Sequence, residues 1–100
     1  MRRATTPTHT FKINIDRDLI KNVQVAYAQN GNVILKKNTA DCEVEQGKIV
    51  TKLNQQETLL FDSRSKVQIQ LRMTTVDGNA LSTKIYIIAC GDVLSDEVLE

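Results

Sequence analysis

Apolar and polar residues alternate with a period of two along most of the chain. Such alternation is typical of β-strands that bury one face and leave the other in solvent. The pattern predicts seven strands, named A to G here, at residues 9–15, 22–29, 33–35, 42–44, 49–53, 67–73 and 83–87. The alternation stops at Asn54, which is followed three residues later by Glu57, the spacing of a helix N-cap and its partner acid. We therefore expect one short helical turn between strands E and F.

Two turns fix the pairing of neighbouring strands. Asn30-Gly31 is a strong hairpin signal, because a type I′ turn needs positive φ at both central residues. A two-residue turn at Gln46-Gly47 places Val44 opposite Ile49 and Cys42 opposite Thr51, so their side chains share one face.

The last hairpin, strands F and G, is predicted from the same matching of apolar faces. A three-residue loop at residues 77–79 brings the apolar side chains of both strands to one face. The predicted pairs are Leu71 with Ile85, Ile69 with Ile87, and Met73 with Thr83. Gly78 supplies the left-handed conformation that this loop requires.

Seven short strands and one helical turn predict an all-β fold, an immunoglobulin-like antiparallel β-sandwich. The chain has 100 residues, a length that allows one domain and about 65% burial of its surface. We expect a flexible basic arm at residues 1–8, the sandwich at residues 9–90 and an acidic-apolar tail at residues 91–100.

Composition narrows the range of functions that this chain is expected to have. The net charge is +1, so no strong field attracts nucleic acid or an anionic membrane. The longest apolar run, Ile85 to Cys90, is six residues, too short to span a membrane, and it predicts a buried strand. The basic N-terminus lacks the apolar region of a secretory signal, so we expect synthesis in a bacterial cytoplasm, with Cys42 and Cys90 as reduced, buried thiols.

Candidate chemistry is sparse. His9 is the only histidine, has no acid close in sequence and is expected at the surface. Asp16 and Asp18 lack the glycine and the distal glutamate of a calcium loop. The four glycines lie at predicted turns or strand ends and form no phosphate-binding loop. We therefore predict no catalytic residue, no metal and no cofactor.

Two sets of residues are candidates for protein contact. Gln68, Gln70, Tyr86 and Ile88 are predicted on the face of strands F and G opposite the core, as an uncharged strip of the kind that binds another protein. The alternative is that the chain's own arm or tail covers this strip. The tail carries Val93, Leu94, Val98 and Leu99, which either dock on neighbouring subunits or belong to a fraying terminus.

Several segments resemble small proteins encoded in the structural gene blocks of tailed phages and prophages of gut Firmicutes. The segments are Met1 to Phe11, Leu53 to Asp62, Val67 to Arg72, Asp77 to Leu81 and Asp96 to Leu99. The order of hairpins is also similar to the immunoglobulin-like N-terminal domain of phage baseplate upper proteins. The resemblance implies a virion or virion-assembly component near the tail or baseplate, and it implies no catalytic residue.

The first hypothesis is therefore a non-enzymatic structural or adaptor protein of a phage particle. Its expected partners are other phage structural proteins and further copies of itself, and its expected location is the virion. The second hypothesis is a carbohydrate- or cell-surface-binding module, which needs exposed rings and has only Tyr27 and Tyr86 to offer. A small enzyme or a nucleic-acid regulator is the third.

Overall fold

A computed structural model describes residues 1–95 and 97–99, and within them eight strands and one α-helix. Asp96 and Glu100, both assigned to the tail above, lie outside the described residues. The elements are β1 Thr8–Lys12, β2 Ile20–Gln29, β3 Asn32–Asn38, β4 Cys42–Glu45, β5 Lys48–Lys52, α1 Gln55–Thr58, β6 Val67–Thr75, β7 Ala80–Ser82 and β8 Tyr86–Ile88.

The strands form two antiparallel sheets. The smaller sheet has the order β1-β5-β4, and the larger has the order β3-β2-β6, with both β7 and β8 on the far side of β6. One core fills the space between them, as the apolar faces of a sandwich require. The buried apolar residues are Phe11, Val23, Val25, Tyr27, Ile49, Leu53, Phe61, Val67, Ile69, Leu71, Met73 and Cys90.

Two predicted hairpins are confirmed. Asn30 and Gly31 both have positive φ, at 52° and 78°, and they join β2 to β3 as the type I′ turn demands. Across β4 and β5, Val44 lies opposite Ile49 and Cys42 lies opposite Thr51. The matching of apolar faces was therefore sufficient to set the register where both strands are regular.

The predicted register of the last hairpin is wrong. Strand G is divided into β7 and β8, with Met73 opposite Leu81 and Ile69 opposite Tyr86. The cause lies at Thr83, whose hydroxyl accepts the Leu71 N–H at 3.2 Å while its own N–H donates to the Leu71 carbonyl at 2.9 Å. A side-chain acceptor replaces a backbone carbonyl here, so the ladder is interrupted and the register shifts by one residue.

The connection between the two sheets has the predicted capping box. The Asn54 side chain accepts the Glu57 N–H at 2.8 Å, and the Glu57 carboxylate accepts the Asn54 N–H at 2.9 Å. After α1, Phe61 enters the core and packs edge-on against Tyr27, with ring centroids 6.1 Å apart. The turn thus supplies an apolar plug between the sheets.

The segment predicted as a flexible arm packs on the chain itself. The Met1 ammonium group donates to the Ala89 carbonyl at 2.7 Å, and Arg2 forms a parallel bridge with Gly91. Arg3 pairs with Asp92, with 2.7 Å between nitrogen and oxygen. The start of the chain and the start of the tail therefore hold each other beside the end of β8.

Candidate interaction surface

An apolar edge strand is the most unusual surface of the molecule. Ile85, Tyr86 and Ile87 are 52%, 41% and 62% exposed, and we call these three residues the β8 edge. β8 pairs with β6 on one side, and no described strand pairs with its other side. Natural proteins usually protect such an edge with charges or proline, because its free N–H and C=O groups can pair with another chain.

The six-residue apolar run was predicted to be a buried strand, and this is wrong: only Tyr86–Ile88 forms a strand, and Cys90 is the only buried residue of the six. A strand in a two-layer sandwich has one buried face only. An unbroken apolar run must therefore place every second side chain outside, and a strand at the sheet margin exposes more. That signal was present in the sequence, and it indicates a marginal strand with an exposed face rather than a core strand.

The four residues of the predicted strip do not share a face. Opposite residues in a β-ladder point the same way, so the pair Ile69–Tyr86 and the pair Val67–Ile88 lie on the core side. Gln68 and its partner Ile87 lie on the outer side, and Gln70 follows Gln68 by two residues. The one-residue register shift explains the separation.

The two glutamines also have structural partners. The Gln68 side-chain oxygen accepts the Gly31 N–H at 3.2 Å, which ties the β2–β3 turn to β6. The Gln70 amide donates to the Thr83 carbonyl at 2.9 Å, beside the interruption between β7 and β8. Both side chains are half-buried, so within β6 and β8 the exposed apolar side chain on this outer face is Ile87.

A groove runs between the margins of the two sheets. It has a volume of about 390 Å³, and we call it the β1–β8 groove. Phe11 and Tyr86 face each other in it with ring centroids 6.1 Å apart. Its lining residues are Thr8, His9, Thr10, Phe11, Lys12, Ile69, Tyr86 and Ile88. Phe11 and Ile69 were assigned to strands from the sequence, but their meeting at a groove depends on how the sheets pack.

His9 is half-buried rather than a surface histidine. Its Nδ1 lies 2.7 Å from the hydroxyl of the fully buried Tyr27. Burial, with a smaller contribution from the positive N-terminus, lowers the pKa of His9, and burial raises the pKa of Tyr27. The imidazole is therefore neutral at pH 7 and serves as a hydrogen-bonded part of the sandwich interior.

Groups that could perform chemistry do not converge. In residues 1–95 and 97–99, no three His, Cys, Asp or Glu side chains are placed to hold a metal ion. Cys42 and Cys90 are both free thiols, of which Cys90 is buried and Cys42 half-buried. Burial raises the pKa of each thiol, which keeps it protonated and unreactive at neutral pH.

The tail residues lie on the surface. Leu94 is fully exposed and Leu99 is 79% exposed, while Val98 is also exposed and Val93 is half-buried. The Gln55 side chain holds the Leu99 backbone, donating to its carbonyl at 2.8 Å and accepting its N–H at 2.9 Å. The tail is therefore held at its start by the contacts of Gly91 and Asp92 with Arg2 and Arg3 and near its end by Gln55, with two leucines left in solvent.

Comparison with known proteins gives the fold. No protein-family model and no curated protein matches the chain. A crystal structure of a strand-swapped dimer of the immunoglobulin-like domain of mouse leukocyte-associated immunoglobulin-like receptor 1 is similar, with a TM-score of 0.51 and 11% sequence identity. The likeness covers 93% of this chain and 84% of that one. The chain has an immunoglobulin-like β-sandwich fold, as the sequence predicted. Among the described residues no helix is long and apolar enough to cross a membrane.

Proposed function

We propose that this protein is a non-enzymatic structural or adaptor protein of a tailed-phage or prophage particle. In this role it binds other proteins of the particle through the β8 edge and is located in the virion. The sequence resemblance supplies the setting, and the β8 edge supplies the contact. An enzymatic role has less support, because the ionisable groups described above are dispersed or held in structural pairs.

The exposure of the β8 edge carries this proposal. Three consecutive apolar side chains in solvent are unfavourable for a free monomer, and such patches commonly mark protein–protein interfaces. A charged residue adjoins them, since the Lys84 ammonium group lies 5.2 Å from the centroid of the Tyr86 ring. An apolar centre with a charged rim is the usual composition of an interface.

Self-association belongs to the same proposal. The similar mouse receptor domain was crystallised as a strand-swapped dimer. We extend to this chain only the general idea that a fold of this type can exchange a strand between copies. Symmetric self-association is common in viral particles and other assemblies, and an exposed edge strand is one way to achieve it.

Incorporation into purified phage particles, measured by quantitative mass spectrometry, tests the proposal. Ile87→Glu places a charge at the middle residue of β8, within the β8 edge, and we expect incorporation to fall at least about tenfold. Val76→Glu is the matched control, because Val76 is 60% exposed, against 62% for Ile87, and lies in the loop between β6 and β7. Both variants should unfold at the wild-type temperature.

Two results would contradict the proposal. One is the absence of wild-type protein from the particles. The other is equal incorporation of the Ile87→Glu and Val76→Glu variants, since the β8 edge would then have no special part in binding.

A further inference from the structure

The open margin of the smaller sheet has the form of a strand acceptor. The Ile13 N–H donates to the Gly47 carbonyl and the Leu53 N–H donates to the Pro7 carbonyl, which fixes the phase of the β1–β5 ladder. In an antiparallel pair, hydrogen-bonded residues alternate with residues whose backbone groups point away. The N–H and C=O groups of Thr8, Thr10 and Lys12 therefore point away from β5, toward the open side of β1.

The groove beside this margin is suited to an extended segment with apolar side chains. Its interior presents Phe11, Ile69, Tyr86 and Ile88, and the backbones of β1 and β8 border it. β1 has five residues, so the acceptor margin is about 17 Å long. A bound strand would gain main-chain hydrogen bonds from one border and apolar contacts from the interior, which is the usual mode of β-strand addition.

The tail carries apolar side chains of the kind that this groove is suited to bind. Residues 93–99 include four apolar side chains, of which Leu94 and Leu99 are in solvent. The segment has two residues more than β1, so it can run along the whole margin. Its attachment to its own chain is weak, because the two hydrogen bonds between Gln55 and Leu99 are exposed.

Charge favours the same pairing. Two basic residues lie at the groove. Lys12 belongs to its lining, and the Lys84 ammonium group lies over the ring of Tyr86. Residues 91–100 contain Asp92, Asp96, Glu97 and Glu100 and no basic residue. Opposite charges on two surfaces steer their encounter and fix their orientation.

We propose that the β1–β8 groove binds residues 93–99 of a second copy of this chain as an additional β-strand. This inference rests on the proposed function, in that both require an open strand margin. The contact is heterologous, since groove and tail are different surfaces. Repetition of the contact therefore gives a closed ring or an open chain of subunits.

A charge-swap experiment tests the pairing on the full-length protein. The groove variant carries Lys12→Glu and Lys84→Glu, and the tail variant carries Asp96→Lys and Glu97→Lys. The molar mass of each is measured by sedimentation equilibrium over a wide concentration series. We expect wild type to self-associate and each variant alone to self-associate at least about tenfold more weakly.

Mixing the two variants provides the rescue. The basic tail of the tail variant then meets the acidic groove of the groove variant, and the unchanged acidic tail of the groove variant meets the unchanged basic groove of the tail variant. We therefore expect mixed complexes that contain the two variants in equal amounts and weaken with added salt. Asp18→Lys with Glu43→Lys is the matched control for the tail variant, because it makes the same change in net charge as that variant at exposed sites away from the groove. This control should self-associate as wild type does.

The inference is overturned if wild type stays monomeric, if the tail variant self-associates as strongly as wild type, or if the mixture forms no mixed complex. These outcomes are separate from a failure of the proposed function. The Ile87 side chain lies on the outer face, opposite the groove, so loss of particle incorporation in Ile87→Glu would still stand.

Discussion

The two sides of strand β6 differ in how completely they are paired. On one side β2 pairs with it from Ile20 to Ala28, and the side chains facing the core are buried along most of both strands. On the other side lie β7 and β8, each of three residues, with a register shift between them. The same strand thus separates a long pairing with a buried face from a short, interrupted and exposed one.

This difference assigns stability and binding to different places. The β2 side buries Val25, Tyr27 and Leu71 completely, so changes there act on the folding of the whole domain. The β8 side exposes apolar side chains and free backbone groups, so changes there should act on binding to other chains. Mutations on the two sides can therefore break the two properties separately.

The largest expected effect is a loss of stability from a mutation on the β2 side of β6. Leu71→Ala removes a fully buried side chain at the centre of β6, and we expect the free energy of unfolding to fall by about 2–5 kcal/mol. Ile87→Ala, on the exposed side, should change it by no more than about 0.5 kcal/mol. Urea unfolding, analysed with a common slope, measures both changes in the free energy of unfolding. Equal losses in the two variants would contradict the assignment of stability to the β2 side and of binding to the β8 side.

Tyr27→Phe tests the polar pair inside the sandwich. The change removes a buried hydroxyl and leaves His9 Nδ1 without its partner, which should cost about 1–3 kcal/mol. Tyr86→Phe is the control on the exposed side, and its effect should stay within about 0.5 kcal/mol. Thermal unfolding of the three proteins would show whether the hydroxyl of Tyr27 contributes more than that of Tyr86.

The His9–Tyr27 pair should also make stability depend on pH, and this effect is expected to be smaller than that of Tyr27→Phe. The pKa of His9 is below its usual 6.5 in the folded protein, so the unfolded chain binds the proton first as the pH falls. The free energy of unfolding should be constant above about pH 7 and should decrease between about pH 7 and about pH 5.

The three carboxylates whose pKa values are lowered do not obscure this window. Hydrogen bonds with Arg64 hold the pKa of Asp62 at about 2, and the pKa values of Asp77 and Asp92 are also below their usual 3.8. Their contributions are lost only at lower pH. His9→Gln should therefore remove most of the slope between about pH 5 and about pH 7, and an unchanged slope would show that another group is responsible.

The sequence predicted the regular half of the molecule. Asn30-Gly31, Gln46-Gly47 and the Asn54–Glu57 box act locally, so their signals are contained in a few neighbouring residues. The register of β7 and β8 was missed because it depends on the Thr83 hydroxyl accepting a backbone N–H from another strand. No periodicity in the sequence records such a contact.

The candidate surface was predicted only in part. Tyr86 and Ile88 were identified, but their face depends on the same register shift, and the groove that they line depends on how the two sheets pack. The packing of Met1 and Arg3 against residues 89–92 was missed for a related reason. Contacts between the two ends of a chain leave no pattern in either segment alone.

Amide hydrogen exchange, measured on the free protein and on the protein bound in its particle, tests the central claim most directly. We expect the β2 amides to be protected in both states. Within residues 85–87, the amides that do not donate to β6 should exchange fast in the free protein and become protected on assembly. Fast exchange at these amides in the assembled state, with new protection elsewhere, would contradict binding through the β8 edge.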